Sequence, residues 1–238
     1  MYAEHADLYD QIHSFQDCSE AVEKVCSVVD KFNPSASTLL DVGCGTGRHI
    51  ELLRSRFRVA GLDIDPALLA IARKRFGSEV ELYEADMAAF ALHRRFDVVT
   101  CLFGAISFLL TLDDLRRAIA TMALHLAPGG VLLLEPWLTP TQYWRNHIKL
   151  NVSEAPDRKI AWMYVGREEA NIVTEDIHYL IGEPNGVTHF TQVQRHRLHS
   201  DEDYRSAFAA AGLTRVQHDP KGILGYGLYV ALGAPSQS

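Results

Sequence analysis

The stretch that decides the fold reads Leu39-Leu40-Asp41-Val42-Gly43-Cys44-Gly45-Thr46-Gly47. An apolar run ends in an acidic turn, three glycines follow within five residues, and a helical pattern begins at once. Glycine lets the backbone turn sharply and come close to a ligand, because it has no Cβ. Backbone N–H groups at the start of the next helix can bind a negatively charged or strongly polar group. The stretch therefore predicts a strand, a nucleoside-binding turn and a helix.

The chain continues from this turn as alternating strands and helices. Near-continuous apolar strands are predicted at 38–42, 59–65, 80–84, 96–102 and 131–135. Such strands, with helices between them, are typical of a parallel sheet that is covered on both faces. Ligands bind at the carboxyl ends of the strands in sheets of this kind. Four acids fall at those ends, namely Asp41, Asp63, Asp86 and Glu135.

After residue 137 the pattern changes to alternating polar and apolar residues. Strands are predicted at 159–166, 171–181 and 186–198, as an antiparallel meander inserted after the fifth strand. Ser200 with Asp203 predicts a capped helix over 202–211. Residues 213–218 and 226–232 supply a final strand pair. The predicted fold class is α/β, with a mostly parallel sheet and an inserted antiparallel one.

Composition and charge exclude several functions. The 238 residues are 47% hydrophobic and carry a net charge of −7 without a basic block, which argues against nucleic-acid or anionic-membrane partners. No run approaches the roughly 18 apolar residues of a membrane-spanning helix, and no signal peptide is read. Four cysteines without C-x-x-C spacing predict reduced thiols in a cytoplasmic protein and no metal site: Cys18, Cys26, Cys44 and Cys101.

The spacing of the glycines and acids defines the ligand more closely. A dinucleotide fold would show G-x-G-x-x-G, whereas this chain has Gly43-x-Gly45-x-Gly47. Asp63 follows Gly43 by 20 residues, a separation that suits an acid binding ribose hydroxyls. Asp86 could accept a hydrogen bond from an adenine amino group. The order of these groups indicates a nucleoside site without a pyrophosphate cradle.

These residues resemble the class I S-adenosylmethionine-dependent methyltransferases. The stretch 41–47 resembles motif I of that family, and Leu62-Asp63 and Ala85-Asp86-Met87 fall where the family binds ribose and adenine. The resemblance implies a Rossmann-like sheet with a reversed C-terminal strand pair, and S-adenosyl-L-methionine as the cofactor. It also implies these cofactor-binding residues: Tyr9, Asp41, Gly43, Cys44, Gly45, Gly47, Asp63, Ile64, Asp86, Met87, Cys101, Leu102 and Phe103.

A narrower resemblance is to bacterial N,N-dimethyltransferases of nucleotide-linked aminosugars. It rests on short segments spread along the chain, at 8–10, 45–49, 101–103, 125–130, 135–137 and 225–228. The resemblance implies a homodimer and an insert that helps to form the sugar pocket. It divides a single methyltransferase domain into an N-terminal helical lid (1–33), a cofactor-binding core (34–137), an antiparallel insert for the acceptor pocket or dimer contact (138–200), and a C-terminal helix with a strand pair (201–238).

The acceptor side departs from those relatives. They have a histidine in the loop after the fourth strand, where this chain has Phe108, and two N-terminal aromatic positions are changed to His13 and Cys18. Tyr2 is retained. Histidines also lie on the alternating strands of the insert, where one could face the cleft. The predicted substrate pocket contains Phe108, Trp137 and His178.

Methyl transfer needs an in-line approach of a neutral nucleophile to the methyl group, helped by positioning and exclusion of water. The faces of Tyr9 and Phe103 are candidates to hold the sulfonium. An alcohol or phenol acceptor needs a base more often than an amine, which can lose its proton to solvent before binding. The candidate catalytic residues are His13, Tyr2 and Glu135, and catalysis without a protein base stays open.

The predicted function is methyl transfer to a small-molecule acceptor. The preferred acceptor is an amine nitrogen of a sugar or another secondary metabolite. The alternative is an O-methyltransferase with His13 or Glu135 as base, and a non-catalytic nucleoside-binding scaffold is more remote. A methyltransferase acting on nucleic-acid base amines would show a polar-Pro-Pro-aromatic turn after the fourth strand. This chain has Cys101-Leu102-Phe103-Gly104 there, so no nucleic-acid substrate is expected.

Overall fold

A computed structural model describes residues 6–234 as two β-sheets, with helices packed around the larger one. The strands are β1 (Thr38–Val42), β2 (Arg58–Asp63), β3 (Glu81–Glu84), β4 (Phe96–Cys101), β5 (Leu126–Leu134), β6 (Ile148–Ala155), β7 (Arg158–Glu169), β8 (Ile172–Glu183), β9 (Gly186–Arg197), β10 (Arg215–Asp219) and β11 (Leu228–Leu232). The α-helices are α1 (Tyr9–Ile12), α2 (Cys18–Phe32), α3 (Arg48–Leu53), α4 (Pro66–Phe76), α5 (Leu112–Leu124) and α6 (Asp201–Ala210). Two 3-10 helices cover Ala6–Leu8 and Ala105–Phe108.

The larger sheet has the order β10-β11-β5-β4-β1-β2-β3. Strands β1 to β5 pair in parallel, while β11 runs antiparallel to both β5 and β10. Apolar side chains from both faces of the sheet are buried in two separate clusters beneath the helices. The predicted α/β class and the reversed C-terminal strand pair are confirmed.

The second sheet is an antiparallel meander in the order β6-β7-β8-β9, inserted after β5. The sequence pattern predicted its last three strands and missed β6. Ile148, Leu150 and Val152 alternate with polar residues along β6, but all three are exposed. The inner face packs on the N-terminal segment, where Leu8 and Ile12 join a cluster with five apolar side chains of β7 and β8: Ile160, Trp162, Ile177, Tyr179 and Ile181.

Some predicted boundaries shift for local reasons. The helix predicted to reach Phe57 ends at Leu53, where the Ser55 hydroxyl donates to the Leu52 carbonyl at 2.7 Å and helps to close the turn. The Ala127–Gly130 segment, predicted to close α5, already belongs to β5. The predicted Ser200–Asp203 capping box is confirmed at the start of α6. In the described part of the chain, no helix combines the length and apolarity needed to cross a membrane.

Candidate active site

The glycine-rich turn joins β1 to α3 and requires glycine at two positions. Gly43 has φ +76°, and a Cβ built there would lie 2.8 Å from the Cβ of Ala105. Gly47 has φ +81°, and a Cβ there would clash with the ring of Phe76. The Gly43 N–H donates to the Leu62 carbonyl at 2.7 Å, which fixes the turn against the end of β2. The backbone can therefore come close to a ligand at this edge of the sheet.

Asp63 connects the turn to the end of β2. Its Oδ2 accepts from the Gly45 N–H at 2.7 Å and its Oδ1 from the Asp65 N–H at 2.9 Å. Burial raises the pKa of this carboxyl, and these hydrogen bonds oppose the shift. The neighbouring Ile64 side chain is 65% exposed, as expected for an apolar surface that a ligand would cover. Asp63 and Ile64 lie where the sequence predicted ribose binding.

Asp41 is a buried carboxyl at the carboxyl end of β1. Its Oδ1 accepts from the Thr100 hydroxyl at 2.8 Å, while its Oδ2 is buried without a hydrogen-bond partner among residues 6–234. Burial raises the pKa of Asp41 to about 7. A buried acceptor without a donor is costly, so it suits a ligand that brings an N–H group or a positive charge. The ammonium group of S-adenosylmethionine meets that requirement.

Two further predicted residues border the turn. Asp86 is exposed, and its Oδ1 accepts from the Ala88 N–H at 2.8 Å. The Cε of Met87 lies 3.8 Å from the position of a Cβ on Gly43. These side chains and Ile64 supply polar and apolar contact surface at one edge of the sheet. The arrangement fits a nucleoside.

Three residues predicted to bind the cofactor have side chains in the core. The side chains of Cys44, Cys101 and Leu102 are buried in the apolar clusters on the two faces of the sheet. Burial raises the pKa of the Cys44 and Cys101 thiols, so both stay neutral. The Cys101 side chain has no exposed surface, so the predicted contact of this residue with the cofactor would have to come from its backbone.

The N-terminal segment is fastened over the glycine turn by polar contacts. Asp10 accepts from the Thr46 hydroxyl and from the Arg75 guanidinium, and Arg75 also donates to the Thr46 carbonyl at 3.1 Å. Arg48, in the first turn of α3, donates to the His13 carbonyl at 2.7 Å. The Tyr9 hydroxyl lies 3.6 Å from the position of a Cβ on Gly45. Tyr9 is therefore placed to contact a ligand bound at the turn.

The candidate bases differ in what they can do. The His13 ring packs against the Tyr9 ring in a tilted arrangement with centroids 4.4 Å apart, and burial with the nearby Arg48 charge lowers the pKa of His13 to about 4. A neutral imidazole of that pKa is a weak base at neutral pH. Tyr2 lies outside the described residues.

Glu135 acts as a structural anchor in this chain. One oxygen accepts from the Phe103 N–H at 2.9 Å, and the other accepts from the Ile223 and Leu224 N–H groups at 3.2 and 2.8 Å. The residue has no exposed surface. The prediction of Glu135 as a base is therefore corrected, because both oxygens are engaged in holding two loops together.

Phe103 lies in the loop after β4, and its side chain contacts the helix that follows the glycine turn. Its ring packs edge-on against His49 of α3, with centroids 4.4 Å apart. Its backbone has φ +51°, an uncommon value for a non-glycine residue that the Glu135 hydrogen bond stabilises. The loop is thus held in one shape beside the predicted cofactor site.

The predicted substrate residues are only partly brought together. Phe108 and Trp137 both contact one imidazole, that of His196 on β9, with ring centroids 4.4 Å apart in each case. His178 lies on the outer face of the insert sheet, stacked on His189, and the prediction that it lines the pocket is wrong. Successive strand side chains alternate between faces, so His178 points away from the face that carries Glu175. The sequence pattern could not show which insert histidine faces inward.

Comparisons with known proteins identify the family of this chain. A family model described as a methyltransferase domain matches residues 39–130. The dTDP-4-amino-2,3,4,6-tetradeoxy-D-glucose N,N-dimethyltransferase of Saccharopolyspora spinosa is 36% identical, over 96% of this chain and 92% of its own length.

Solved structures give the same result. The crystal structure of DesVI from Streptomyces venezuelae is similar with a TM-score of 0.92 at 35% identity, covering 97% of this chain and 99% of that one. A SAM-bound amino pentose methyltransferase of Micromonospora echinaspora, involved in calicheamicin biosynthesis, has a TM-score of 0.84 at 37% identity, covering 91% and 92%. The chain therefore belongs to the S-adenosylmethionine-dependent methyltransferases, in the family that contains the dTDP-aminosugar N,N-dimethyltransferases.

Proposed function

We propose that this methyltransferase acts on the amino nitrogen of a nucleotide-linked deoxyaminosugar in secondary metabolism. The observation that carries the proposal is the cover over the carboxyl edge of the main sheet. There His196 of the insert sheet contacts the rings of Phe108 and Trp137. The full-length similarity to aminosugar N,N-dimethyltransferases extends through this insert. Aromatic walls with few polar groups are typical of a small-molecule site.

The residues of the cofactor side position the methyl donor. S-adenosylmethionine supplies a methyl group on a cationic sulfur. Asp63, Asp86 and the glycine turn are proposed to hold its nucleoside, and Asp41 its ammonium group. The Tyr9 and Phe103 rings are candidates to stabilise the positive charge. Proximity and the exclusion of water then supply most of the rate enhancement.

A methyl-transfer assay tests this function. We expect the protein to convert dTDP-4-amino-2,3,4,6-tetradeoxy-D-glucose or a 3-amino analogue into mono- and dimethylated products that mass spectrometry resolves. Small phenols and the corresponding 4-hydroxy sugar nucleotide serve as matched acceptors without an amine. Transfer to the hydroxyl compounds alone would contradict the proposal and favour an O-methyltransferase. S-adenosylhomocysteine release without any acceptor product would contradict both.

We propose further that the enzyme is a homodimer joined through the outer face of the insert sheet. This face is rich in exposed apolar side chains: Ile148, Leu150, Val152, Met163, Val165, Leu180, Val187 and Val193. The strand registers place them side by side, for example Leu150 opposite Met163. Contiguous exposed apolar patches mark interaction sites, and a two-fold axis would pair the face with itself. The same sheet would then support the acceptor pocket on its inner face.

Leu150→Lys is expected to convert the dimer to a monomer. A lysine on this apolar face would have to be buried without a partner, so the association constant should fall at least a hundredfold. Sedimentation velocity would report the change from twice the chain mass of 26.6 kDa to that mass. Leu124→Lys is the matched control, since Leu124 is equally exposed but lies at the end of α5. A wild-type protein that is monomeric at assay concentrations would contradict the proposal.

We also propose that the enzyme works in the cytoplasm. Its buried thiols, Cys44 and Cys101, have raised pKa values and are protonated. Its four cysteines are free rather than disulfide-bonded, a state that persists in a reducing compartment. Fractionation of the producing cells would test this placement.

A further inference from the structure

The N-terminal segment lies on the glycine turn through a single turn of helix. Helix α1 has four residues and follows a 3-10 helix of three, and helices this short are not stable alone. The segment is therefore held in place by its tertiary contacts. The hydroxyl and ring atoms of Tyr9 lie 3.6 and 3.7 Å from the position of a Cβ on Gly45, and Thr46 is only 1% exposed. The turn and the segment are thus packed directly against each other.

One ion pair holds the segment on the turn. Asp10 of α1 accepts from the Thr46 hydroxyl and from the Arg75 guanidinium. Arg75 lies in the last turn of α4, and it also donates to the Thr46 carbonyl at 3.1 Å. The carboxylate of Glu51 is a more distant partner of Arg75, at 3.8 Å. The side chains of Asp10 and Arg75 are 36% and 24% exposed, so solvent reaches both. We call this pair the Asp10–Arg75 latch.

The other contacts of the segment involve different parts of the chain. Arg48 donates to the His13 and Gln16 carbonyls at 2.7 and 3.0 Å, at the far end of the segment. Leu8 and Ile12 pack against the inner face of the insert sheet. These contacts remain when the latch opens, so the segment can part from the turn by a local movement.

We infer that the Asp10–Arg75 latch sets the rate at which S-adenosylhomocysteine, the product of the methyl donor, leaves the glycine turn. A nucleoside bound at Gly45 and Asp63 lies against the Tyr9 ring, so the segment has to move before the nucleoside can leave. A charge-assisted hydrogen bond stabilises the closed segment and raises the barrier to that movement. The opening of such covering segments limits product release in many enzymes. Asp10 and Arg75 are therefore positioning residues, which act through the segment and the turn.

Asp10→Asn tests the latch with little change of shape. Asparagine keeps an oxygen that can accept from the Thr46 hydroxyl, but it lacks the charge that holds Arg75. With S-adenosylhomocysteine as the probe, we expect the dissociation rate constant to rise about tenfold. The association rate constant should not fall, because the turn itself is unchanged. Surface plasmon resonance on the full chain would measure both constants.

Arg75→Gln should have the same effect, and Arg56→Gln is its matched control. The Arg56 side chain is 27% exposed, and it donates to the carboxylate of Asp30 and to the carbonyl of Cys26, both in α2. Arg56 therefore resembles Arg75 in exposure and in the groups that it binds. It precedes β2, at the opposite end of that strand from Asp63. We expect the control to keep both rate constants within about twofold of the wild type.

The double variant with Asp10→Asn and Arg75→Gln distinguishes a latch from two independent effects. Either change opens the same contact, so the double variant should release the probe about as fast as the faster single variant. Effects that multiply would overturn the inference. Salt screens a pair that solvent reaches, so high ionic strength should accelerate release from the wild type more than from Asp10→Asn. Equal acceleration of the two proteins would also count against the latch.

Two further results would contradict the inference. An unchanged dissociation rate constant in Asp10→Asn would show that the pair does not limit release. Faster release together with slower association would show that the variants distort the turn instead of opening the segment. No acceptor is present in these experiments. Failure of the aminosugar proposal would therefore leave the latch untouched, and failure of the latch would leave that proposal standing.

Discussion

Glu135→Ala is expected to lower the free energy of unfolding by about 4 kcal/mol, because three backbone N–H groups lose a charged acceptor. Those groups belong to Phe103, Ile223 and Leu224 in two loops that are far apart in sequence. Urea denaturation with linear extrapolation would measure the change. A protein of this size tolerates few losses of that magnitude.

Glu135→Gln is the matched control. Its amide keeps one oxygen acceptor but places an NH₂ group where the other oxygen stood, so we expect a smaller loss, about half of that for alanine. An alanine variant as stable as the wild type would contradict the anchoring role. Full stability with a complete loss of turnover in the glutamine variant would restore Glu135 as a candidate base.

Asp63→Ala is expected to weaken binding of S-adenosylmethionine at least a hundredfold. The substitution removes the acceptor for the Gly45 and Asp65 N–H groups, which shape the binding turn, and the proposed contact to the ribose. Hydrogen bonds to charged groups contribute about 1.5–3 kcal/mol each, and 2.7 kcal/mol corresponds to about a hundredfold in affinity. Isothermal titration calorimetry would give the dissociation constants directly.

Glu79→Ala is the control for that experiment. Glu79 is an exposed acid just before β3, at the opposite end of the strand from the site, and its carboxylate pairs with Arg54 at 2.7 Å. Its removal changes the net charge as Asp63→Ala does but should leave donor affinity within twofold. Equal affinities for wild type and Asp63→Ala would show that the nucleoside binds elsewhere.

The cofactor side was predictable because its determinants are local. A strand, a glycine turn and a helix follow one another in sequence. The positive φ of Gly43 and Gly47 could be expected from the residue type, because glycine adopts such a backbone conformation without steric cost. The carboxyl-edge rule then placed Asp41, Asp63 and Asp86 together without any knowledge of their contacts. The full burial of the Cys101 side chain was not predictable, because a strand end is buried or exposed according to the helices that cover it.

The acceptor side depends on contacts across long stretches of chain. Ser107 meets His196 from 89 residues away, and Glu135 meets Leu224 from 89 residues away. Alternation within β8 and β9 showed two faces but not which face would turn toward the main sheet. His178 was therefore predicted in the pocket although it lies on the outer face, whereas His196 on the inner face contacts Phe108 and Trp137. Strand β6 was not predicted. Its apolar side chains lie on the exposed face of the insert sheet, where polar side chains would be expected.

The N-terminal segment touches both halves of the enzyme. Asp10 fastens it to the glycine turn through Thr46 and Arg75, while Leu8 and Ile12 pack against the inner face of the insert sheet. If the enzyme transfers two methyl groups, as the relatives named N,N-dimethyltransferases do, spent donor must leave and fresh donor enter between the transfers at the turn over which this segment lies. Each exchange would then loosen the wall of the sugar pocket as well. We therefore expect a distributive enzyme, one that releases its half-finished product and rebinds it, rather than one that holds the sugar through both rounds.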